Sequence, residues 1–253
     1  QKTKKTKKKY GHLPPKEAEA TPWDTLCIDL IGPYTVKKQG KKEWKLHFLT
    51  MIDPATGWFE IAEISNKQAD KIANVLEMQW LSRYPWPQKC ICDRGREFMT
   101  KVTEMLEKDY GVHISRITTR NPQANAIIER VHQTIGNMIC TFFENDTDLD
   151  ESNPFAGLLS AVAFVTRATI HTTLQATPSQ LVFGHDAILN MEFEAEWMTI
   201  KARKQKLINS NNARENSKRI AHRYSIDNQI LIKNNHNQKY ARMPIPDLML
   251  YCV

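Results

Sequence analysis

The sequence predicts an α/β protein built on a mixed sheet, and two patterns lead to this prediction. Three short apolar segments, 24–31, 45–52 and 58–64, follow one another with only turn signals between them, as in an antiparallel meander. Beyond residue 66, helical periodicity alternates with short apolar strands, which is typical of parallel strands joined by helices. Together they predict one sheet, antiparallel at one side and parallel at the other, flanked by helices.

Turn residues and apolar spacing then place each element. Gly32-Pro33 and the segment 53–57, Asp-Pro-Ala-Thr-Gly, separate the three strands of the meander. Apolar residues at spacings of three and four predict helices over 66–83, 97–110, 122–143 and 154–171, and strands are predicted at 88–93 and 112–117. A short element at 179–183 closes the compact part. It is followed by a long linker helix over 186–223 and a strand at 228–233.

Charge is spread unevenly along the 253 residues, which carry a net charge of +7. Residues 1–9 hold six Lys and no acid, and residues 201–223 hold eight Lys or Arg and one acid. Residues 10–200 hold 18 basic and 25 acidic residues. An acidic centre between two basic arms favours a polyanionic partner, and nucleic acid is the leading candidate. The alternative is that the arms are solvated tails or helix faces.

The apolar runs and the cysteines argue against a membrane protein and against a disulfide-rich secreted protein. The longest apolar runs fall far short of the roughly 18 residues that a membrane span needs, and no signal-peptide pattern opens the chain. We therefore expect a soluble, non-secreted protein with no membrane partner. The five cysteines are an odd number, and four lie inside apolar segments, so no disulfide framework is expected. Cys90 and Cys92 share one strand with no second pair nearby, and we interpret them as alternately facing strand thiols rather than zinc ligands.

Two apolar strands each carry one acid. Asp29 interrupts Leu26-Cys27-Ile28-Asp29-Leu30-Ile31, a segment that is apolar on both faces, and a carboxylate buried there needs a cation or a strong hydrogen-bond partner. Asp93 follows Cys90-Ile91-Cys92 at the carboxyl end of its strand, where sites form in α/β sheets. Asp53 also ends a strand, but its Asp-Pro-Ala-Thr-Gly context assigns it to a turn.

The third acid, Glu129, lies on the helix predicted over 122–143. Asn121 can cap this helix, and Pro122 suits its first position. Asn125, His132 and Gln133 lie one turn from Glu129 and form a polar face with it. Three oxygen ligands from separate elements suit a pair of Mg²⁺ or Mn²⁺ ions that act on a phosphodiester. Singly, each acid has another explanation: a strand acid held by a lysine or by amides, a turn cap, and a solvated helix residue.

The sequence motifs around Asp93 and Glu129 resemble those of one protein family. Cys92-Asp93-Arg94-Gly95-Arg96-Glu97-Phe98 and Asn121-Pro122-Gln123-Ala124-Asn125 precede Glu129, with 35 residues between Asp93 and Glu129. This pattern is similar to the catalytic core of retroviral and LTR-retrotransposon integrases, the gypsy type in particular. Thr177-Pro178-Ser179-Gln180-Leu181-Val182-Phe183-Gly184 resembles the segment that follows that core. The resemblance extends from about residue 23 to residue 240.

The resemblance implies an RNase H-like fold, two divalent ions (Mg²⁺ or Mn²⁺) on Asp29, Asp93 and Glu129, and a transferase that trims element DNA 3′ ends and joins them to target DNA. Near the bound DNA end it places five further residues: Asn121, Gln123, Asn125, Arg130 and His132. It also implies double-stranded DNA and a homo-oligomer as partners, an origin in a retrotransposon polyprotein, and a location in the nucleus or in cytoplasmic virus-like particles.

The resemblance also implies a domain division. Residues 1–20 correspond to a basic leader that follows a missing zinc module, so no zinc site is expected, and 21–185 to the catalytic core. Residues 186–223 correspond to a linker helix and 224–253 to an incomplete small β-barrel. Ala241-Arg242-Met243-Pro244-Ile245-Pro246 stands where the family has Gly-Pro-Tyr or Gly-Pro-Phe.

Two other functions remain open at this point. The first is a captured or degenerate DNA-binding protein whose basic arms bind phosphates without catalysis. The second is a cellular RNase H or resolvase-type nuclease with the same fold. That class would need a different order of acids and a fourth carboxylate, and the segment 177–184 speaks against it.

Overall fold

The computed structural model describes residues 11–36, 44–64, 67–93, 95, 98, 100–116, 126–144, 156–221, 229–233 and 240–244. Within these ranges it does not describe the side chains of 35–36, 44–46, 126–130, 140, 142–144, 156, 229–233 and 240–244. Among the described residues, no helix combines the length and the apolar character that crossing a membrane would require.

A five-stranded mixed sheet is the centre of the fold. Its strands are β1 (Thr25–Val36), β2 (Trp44–Ile52), β3 (Phe59–Ile64), β4 (Lys89–Cys92) and β5 (His113–Arg116). They lie in the order β3-β2-β1-β4-β5, with β1, β2 and β3 antiparallel and β4 and β5 parallel to β1. The predicted mixed sheet is confirmed, and β1 is its central strand.

The first strand continues beyond its predicted end. Gly32-Pro33 was expected to be a turn, but β1 runs through this pair to Val36. The pairing of β1 with β2 shifts between Ile31 and Tyr34, where Gly32 has a φ of 105°. A bulge tolerates proline because the extra residue makes no ladder hydrogen bond, so here the turn signal marks an irregularity within a strand.

The described residues form six α-helices: α1 (Ala69–Leu76), α2 (Lys101–Glu104), α3 (Ala126–Glu144), α4 (Ala156–Ala168), α5 (Pro178–Phe183) and α6 (Trp197–Asn216). A π-helical turn extends α1 over Glu77–Leu81, and another extends α2 over Met105–Asp109. The helix predicted over 97–110 therefore corresponds to α2 and its extension. Residues 121–125, including the predicted cap Asn121, lie outside the described residues.

The two faces of the sheet carry separate hydrophobic layers. Leu26 and Ile28 of β1 pack with residues of α1 and α2 on one face. Cys27 and Ile31 pack on the other face with Ile135 of α3 and with α4. Both faces are covered, which explains why the apolar segment of β1 does not alternate with polar residues.

Cys90 and Cys92 correct the prediction of alternately facing thiols. Both are buried in the layer of α1 and α2. Residues two apart on a strand point to the same face, so the two thiols share one side of β4, while Ile91 packs against the opposite layer.

The side chain of Arg167 attaches α4 to β3. Its Nε donates a 2.8 Å hydrogen bond to the carbonyl of Phe59, and its guanidinium pairs with Glu60 at 2.5 Å. The guanidinium carbon lies 4.4 Å from the centre of the Trp58 ring. These contacts hold α4 against the antiparallel side of the sheet.

The predicted linker helix begins later than expected and is shorter. Residues 186–196 are not helical: the Asp186 Oδ1 accepts the amides of Ile188 and Leu189, both at 2.9 Å, and His185 pairs with Glu192 in an isolated bridge. An aspartate that satisfies nearby amides competes with helix formation. The α6 helix therefore spans Trp197–Asn216 rather than residues 186–223.

The chain divides into two compact units, residues 19–204 and a second unit of 1–18 with 205–253. In the second unit, the extended segment 11–18 runs along the end of α6, with hydrogen bonds from the Leu13 amide to Asn216 Oδ1 (2.7 Å) and from the Ala18 amide to Gln205 Oε1 (3.0 Å). Strands β6 (Gln229–Lys233) and β7 (Tyr240–Pro244) form an antiparallel pair. The boundaries of the four predicted domains stay predictions.

Candidate active site

The parallel pairing of β1 and β4 brings two of the predicted catalytic acids together. Cys27 is paired with Ile91, and two residues further along each strand the same register reaches Asp29 and Asp93. Cys27 and Ile91 both pack in the layer of α3 and α4, so Asp29 lies on this face of β1, and Asp93 directly follows β4. Asp29 within β1 and Asp93 just beyond β4 thus occupy neighbouring positions across the parallel pair.

The thiol of Cys92 responds to both carboxylates. Burial, together with the negative charges of Asp93 and Asp29, raises the pKa of Cys92 to about 11, against an opposing effect of Arg116. The raised pKa also means that Cys92 is a protonated thiol at neutral pH and not a nucleophile.

Each aspartate is fixed by a local backbone amide. Asp29 Oδ1 accepts the amide of Leu30 at 2.8 Å, and its side chain is 20% exposed. Asp93 Oδ1 accepts the amide of Gly95 at 2.8 Å, so the turn-capping role considered for Asp93 is observed. Capping and metal binding are compatible because a carboxylate has two oxygens and about four acceptor positions.

Helix α3 covers these acids from the side of the second layer. Ile135 and Ile139 are buried against the sheet, and Val131 and Met138 pack beside them. Glu129 lies in α3, one turn before His132, but its side chain is outside the described residues. The contribution of Glu129 to the site therefore stays a prediction.

His132 reaches from α3 to the sheet. Its Nδ1 lies 3.8 Å from Asp29 Oδ2, and its Nε2 lies 2.8 Å from Thr50 Oγ1. Only 15% of its side chain is exposed, and burial lowers the pKa of His132 to about 4. The imidazole is consequently neutral at pH 7, so its approach to Asp29 is a contact between a dipole and a charge rather than an ion pair.

The remaining predicted DNA contacts are not described in the structure. Asn121, Gln123 and Asn125 lie outside the described residues, and of Arg130 only the helical backbone is described.

No feature of the sequence indicated that Thr50 belongs to the site. A hydroxyl inside the apolar strand β2 gives little local signal, and its place opposite Asp29 follows only from the β1–β2 register.

The donors that are described suit a hard divalent cation. Asp29 and Asp93 offer carboxylate oxygens, which are the preferred protein ligands of Mg²⁺ and Mn²⁺. Within the side chains that the structure describes, no group of three or more His, Cys, Asp or Glu could hold a metal ion. Since the Glu129 side chain is not among them, the described part of the site consists of two acids.

Part of this chain is similar to proteins of one family. The model of the integrase core domain matches residues 20–122, which include Asp29 and Asp93 and end before Glu129. The Gag-Pol polyprotein of Walleye dermal sarcoma virus is 26% identical over 129 residues, 51% of this chain and 7% of the relative. The retrovirus-related Pol polyprotein from transposon gypsy of Drosophila melanogaster is 23% identical over 190 residues, 74% of this chain. The chain spans 17% of the length of the gypsy polyprotein.

Two solved structures are similar to this chain, one of them with a TM-score above 0.5. A chain in the simian T-cell lymphotropic virus intasome, solved in complex with PP2A regulatory subunit B56 gamma, matches with a TM-score of 0.55 and 15% identity, over 75% of this chain and 63% of that chain. The HTLV-2 integrase catalytic core domain in complex with magnesium has a TM-score of 0.49 and 15% identity, and the match covers 63% of this chain and 95% of that one. The fold is the RNase H-like fold implied by the motifs, and residues 20–122 match the model of the integrase core domain.

Proposed function

We propose that this protein is a metal-dependent polynucleotidyl transferase that trims the 3′ ends of retrotransposon DNA and joins them to target DNA. The observation that carries the proposal is the juxtaposition of Asp29 and Asp93 on neighbouring parallel strands, beneath the helix that bears Glu129. Carboxylates from separate elements at one edge of a sheet are the arrangement that a divalent-ion phosphoryl-transfer site requires.

Asp29, Asp93 and Glu129 would hold two Mg²⁺ or Mn²⁺ ions. Such a pair of ions activates the attacking hydroxyl and stabilises the leaving oxygen during in-line displacement at a phosphodiester. The protein residues themselves form no covalent bond with DNA in this proposal. First a water, and then the freed 3′ hydroxyl of the element end, is the nucleophile.

The charges of the site explain why cations are needed there. Asp29 within β1 and Asp93 just beyond β4 are like charges at neighbouring positions, and His132, being neutral, does not offset them. A phosphodiester would add a further negative charge. Cations bound by these acids would offset this repulsion, so metal binding would favour the binding of DNA at the site.

The proposed partners are double-stranded DNA, as element ends and target, and further copies of the chain. Asn121, Gln123, Asn125, Arg130 and His132 are proposed to lie near the element end because they belong to the motif around Glu129. The eight basic residues between 201 and 223 would contact the DNA backbone without reading its sequence. For this activity we propose a nuclear location, with virus-like particles in the cytoplasm as an earlier stage.

The test is disintegration, the reverse of joining, on a branched DNA substrate with Mg²⁺ or Mn²⁺. We expect metal-dependent release of the branch, and its loss in Asp93→Asn and Glu129→Gln. Glu104→Gln and Asp109→Asn are matched controls, since both acids are exposed on the helix that follows Asp93. Equal activity of the site variants and the controls would refute the proposal.

The basic segments favour one further candidate, a DNA-binding protein without catalytic activity. The excess of eight basic residues over one acid in 201–223 is sufficient for salt-sensitive binding to phosphates. In this case the chain would bind DNA, both site variants would bind equally well, and no disintegration would occur with either metal.

A further inference from the structure

Thr50 is a buried hydroxyl in the apolar part of β2. Its side chain is fully buried between Leu49 and Met51 along the strand, and Thr50 is paired directly with Asp29 of β1. Its Oγ1 makes two hydrogen bonds, one with the Asp29 carbonyl at 2.9 Å and one with His132 Nε2 at 2.8 Å. One hydroxyl therefore joins β1, β2 and α3 at the proposed metal centre.

The direction of these two hydrogen bonds follows from the hydrogens that are present. A carbonyl oxygen only accepts, so the single hydroxyl hydrogen of Thr50 is donated to Asp29. The bond to His132 then needs a hydrogen on Nε2, with Thr50 Oγ1 as its acceptor. In the neutral ring the other nitrogen, Nδ1, carries a lone pair and faces Asp29 Oδ2 at 3.8 Å.

We infer that Thr50 is a positioning residue for the proposed metal centre, acting through His132 and Asp29 and not by contact with a metal ion or DNA. Its hydroxyl selects the Nε2–H tautomer of His132 and fixes the ring against the sheet. This keeps the first turns of α3, and with them Glu129, at a set distance from Asp29. The inference rests on the proposed function, because it assigns Thr50 a role at that same site.

The selected tautomer also determines what Asp29 can bind. If Nδ1 carried the hydrogen, it would donate to Asp29 Oδ2 and occupy one oxygen of a predicted metal ligand. With the hydrogen on Nε2, the ring cannot donate to this oxygen. Thr50 thus prevents His132 from competing with a metal ion for Asp29 Oδ2.

A matched pair of variants separates positioning from packing. Thr50→Ser retains the hydroxyl and removes a methyl group, whereas Thr50→Val retains the shape and removes the hydroxyl. If Thr50 served packing alone, Val would be the better substitute. If its hydroxyl positions the site, Ser would be the better substitute, because removal of a partner that orients a metal ligand typically lowers metal affinity or activity by about 10- to 100-fold.

Three measurements on the full chain test the inference. The first is the ¹⁵N imidazole spectrum of the wild type, in which we expect His132 to hold its hydrogen on Nε2. The second is calorimetric titration with Mn²⁺ alone, in which we expect Thr50→Val to bind at least about tenfold more weakly than wild type and Thr50→Ser to bind within about threefold of it. The third is disintegration turnover, which should fall in Thr50→Val without a change in the KM for DNA.

The outcomes distinguish this inference from the proposed function. Absence of Mn²⁺ binding and of disintegration in the wild type overturns both. A wild type that binds Mn²⁺ and is active, with Thr50→Val equal to it, overturns the role of Thr50 alone. An Nδ1–H tautomer in the wild type also overturns it, and this measurement stands even if Thr50→Val fails to fold.

Discussion

Asp53 directly follows strand β2 and Asp29 lies within the neighbouring strand β1, yet their surroundings differ in kind. Both oxygens of Asp53 accept hydrogens from its own turn and from Trp23: the Ala55 amide at 2.9 Å, the Thr56 hydroxyl at 2.7 Å and amide at 3.3 Å, and the Trp23 amide at 3.2 Å. Asp53 is fully buried. In contrast, Asp29 lies beside a second acid, and its Oδ2 faces an imidazole nitrogen.

A structural carboxylate differs from a candidate metal ligand in where its neighbours come from. The partners of Asp53 come mainly from its own turn, as its Asp-Pro-Ala-Thr-Gly sequence predicts, and that prediction is confirmed. Asp29 and Asp93 come from separate strands, and only the parallel pairing of β1 with β4 brings them to neighbouring positions. Acids of like charge that the fold places side by side are better candidates for function than an acid whose partners come from its own turn.

The largest expected effect is that of Asp93→Asn on activity. The substitution removes a proposed metal ligand, so disintegration should fall by about a thousandfold or more, since metal coordination contributes several kcal/mol to such reactions. The free energy of unfolding should stay equal or rise, because a repulsive pair of charges is relieved. Chemical denaturation alongside the disintegration assay measures both quantities, and a variant that loses stability instead of activity would reverse the assignment.

Asp53→Ala should show the opposite combination. It removes the acceptor of four hydrogen bonds in a buried turn, and we expect the free energy of unfolding to fall by about 3 kcal/mol. Binding of Mn²⁺ by the folded fraction should remain. Denaturation curves and Mn²⁺ titration check the two parts. Weaker Mn²⁺ binding in a stably folded Asp53→Ala would remove the contrast between the two aspartates.

Lys204 makes the stability of the Asp53 turn depend on pH. Its Nζ donates to the carbonyls of Glu19 (2.9 Å), Pro54 (2.7 Å) and Ala55 (2.9 Å), and burial lowers the pKa of Lys204 from 10.5 to about 8. Between these values the unfolded chain binds the proton and the folded chain does not, so the free energy of unfolding rises with pH. We expect a rise of about 2 kcal/mol relative to Lys204→Met.

Denaturation midpoints of the wild type and Lys204→Met, measured from about pH 8 to about pH 10.5, check this pH dependence. In Lys204→Met the group that titrates is absent, so other ionisations are common to both proteins and cancel in the difference. A difference that falls as the pH rises would mean that the lysine is stabilised in its charged form in the folded chain.

The smallest expected effect belongs to an exposed acid. Glu104 pairs with Lys108 one turn away, at 2.9 Å, and half of its side chain is exposed. Solvent and salt screen such pairs, so Glu104→Gln should leave both the melting temperature and disintegration unchanged within error. If this control behaved like Asp93→Asn, the activity loss in Asp93→Asn would reflect total charge rather than the position of the acid.

Strand pattern and turn chemistry were sufficient to predict the sheet and the two strands that bring Asp29 and Asp93 to neighbouring positions. The apolar segments around Asp29 and before Asp93 predicted strands covered on both faces, and parallel strands place their carboxyl ends side by side. The resemblance of the motifs to integrase cores was confirmed by the match of residues 20–122.

The remaining features depend on distant pairing or on competition between local interactions. Thr50 contacts the site only because β2 pairs with β1 in one register, which a single strand cannot specify. The predicted start of α6 at residue 186 was wrong because the carboxylate of Asp186 accepts the amide hydrogens of Ile188 and Leu189 in a non-helical turn. The π-helical turns after α1 and α2 each add one residue to a helical turn. No particular residue type marks such a turn, so the sequence did not predict them.

The presence of two hydrophobic layers has a consequence for how activity would be lost. Asp29 and Asp93 belong to the sheet, which the layer of α1 and α2 already supports, whereas Glu129 comes from α3, which depends on Ile135 and Ile139 in the other layer. Loosening that second layer would separate the third acid from the first two while most of the sheet stayed folded. The reaction would thus report on whether assembly is complete: a partly folded chain could bind DNA through its basic residues without being able to cut it.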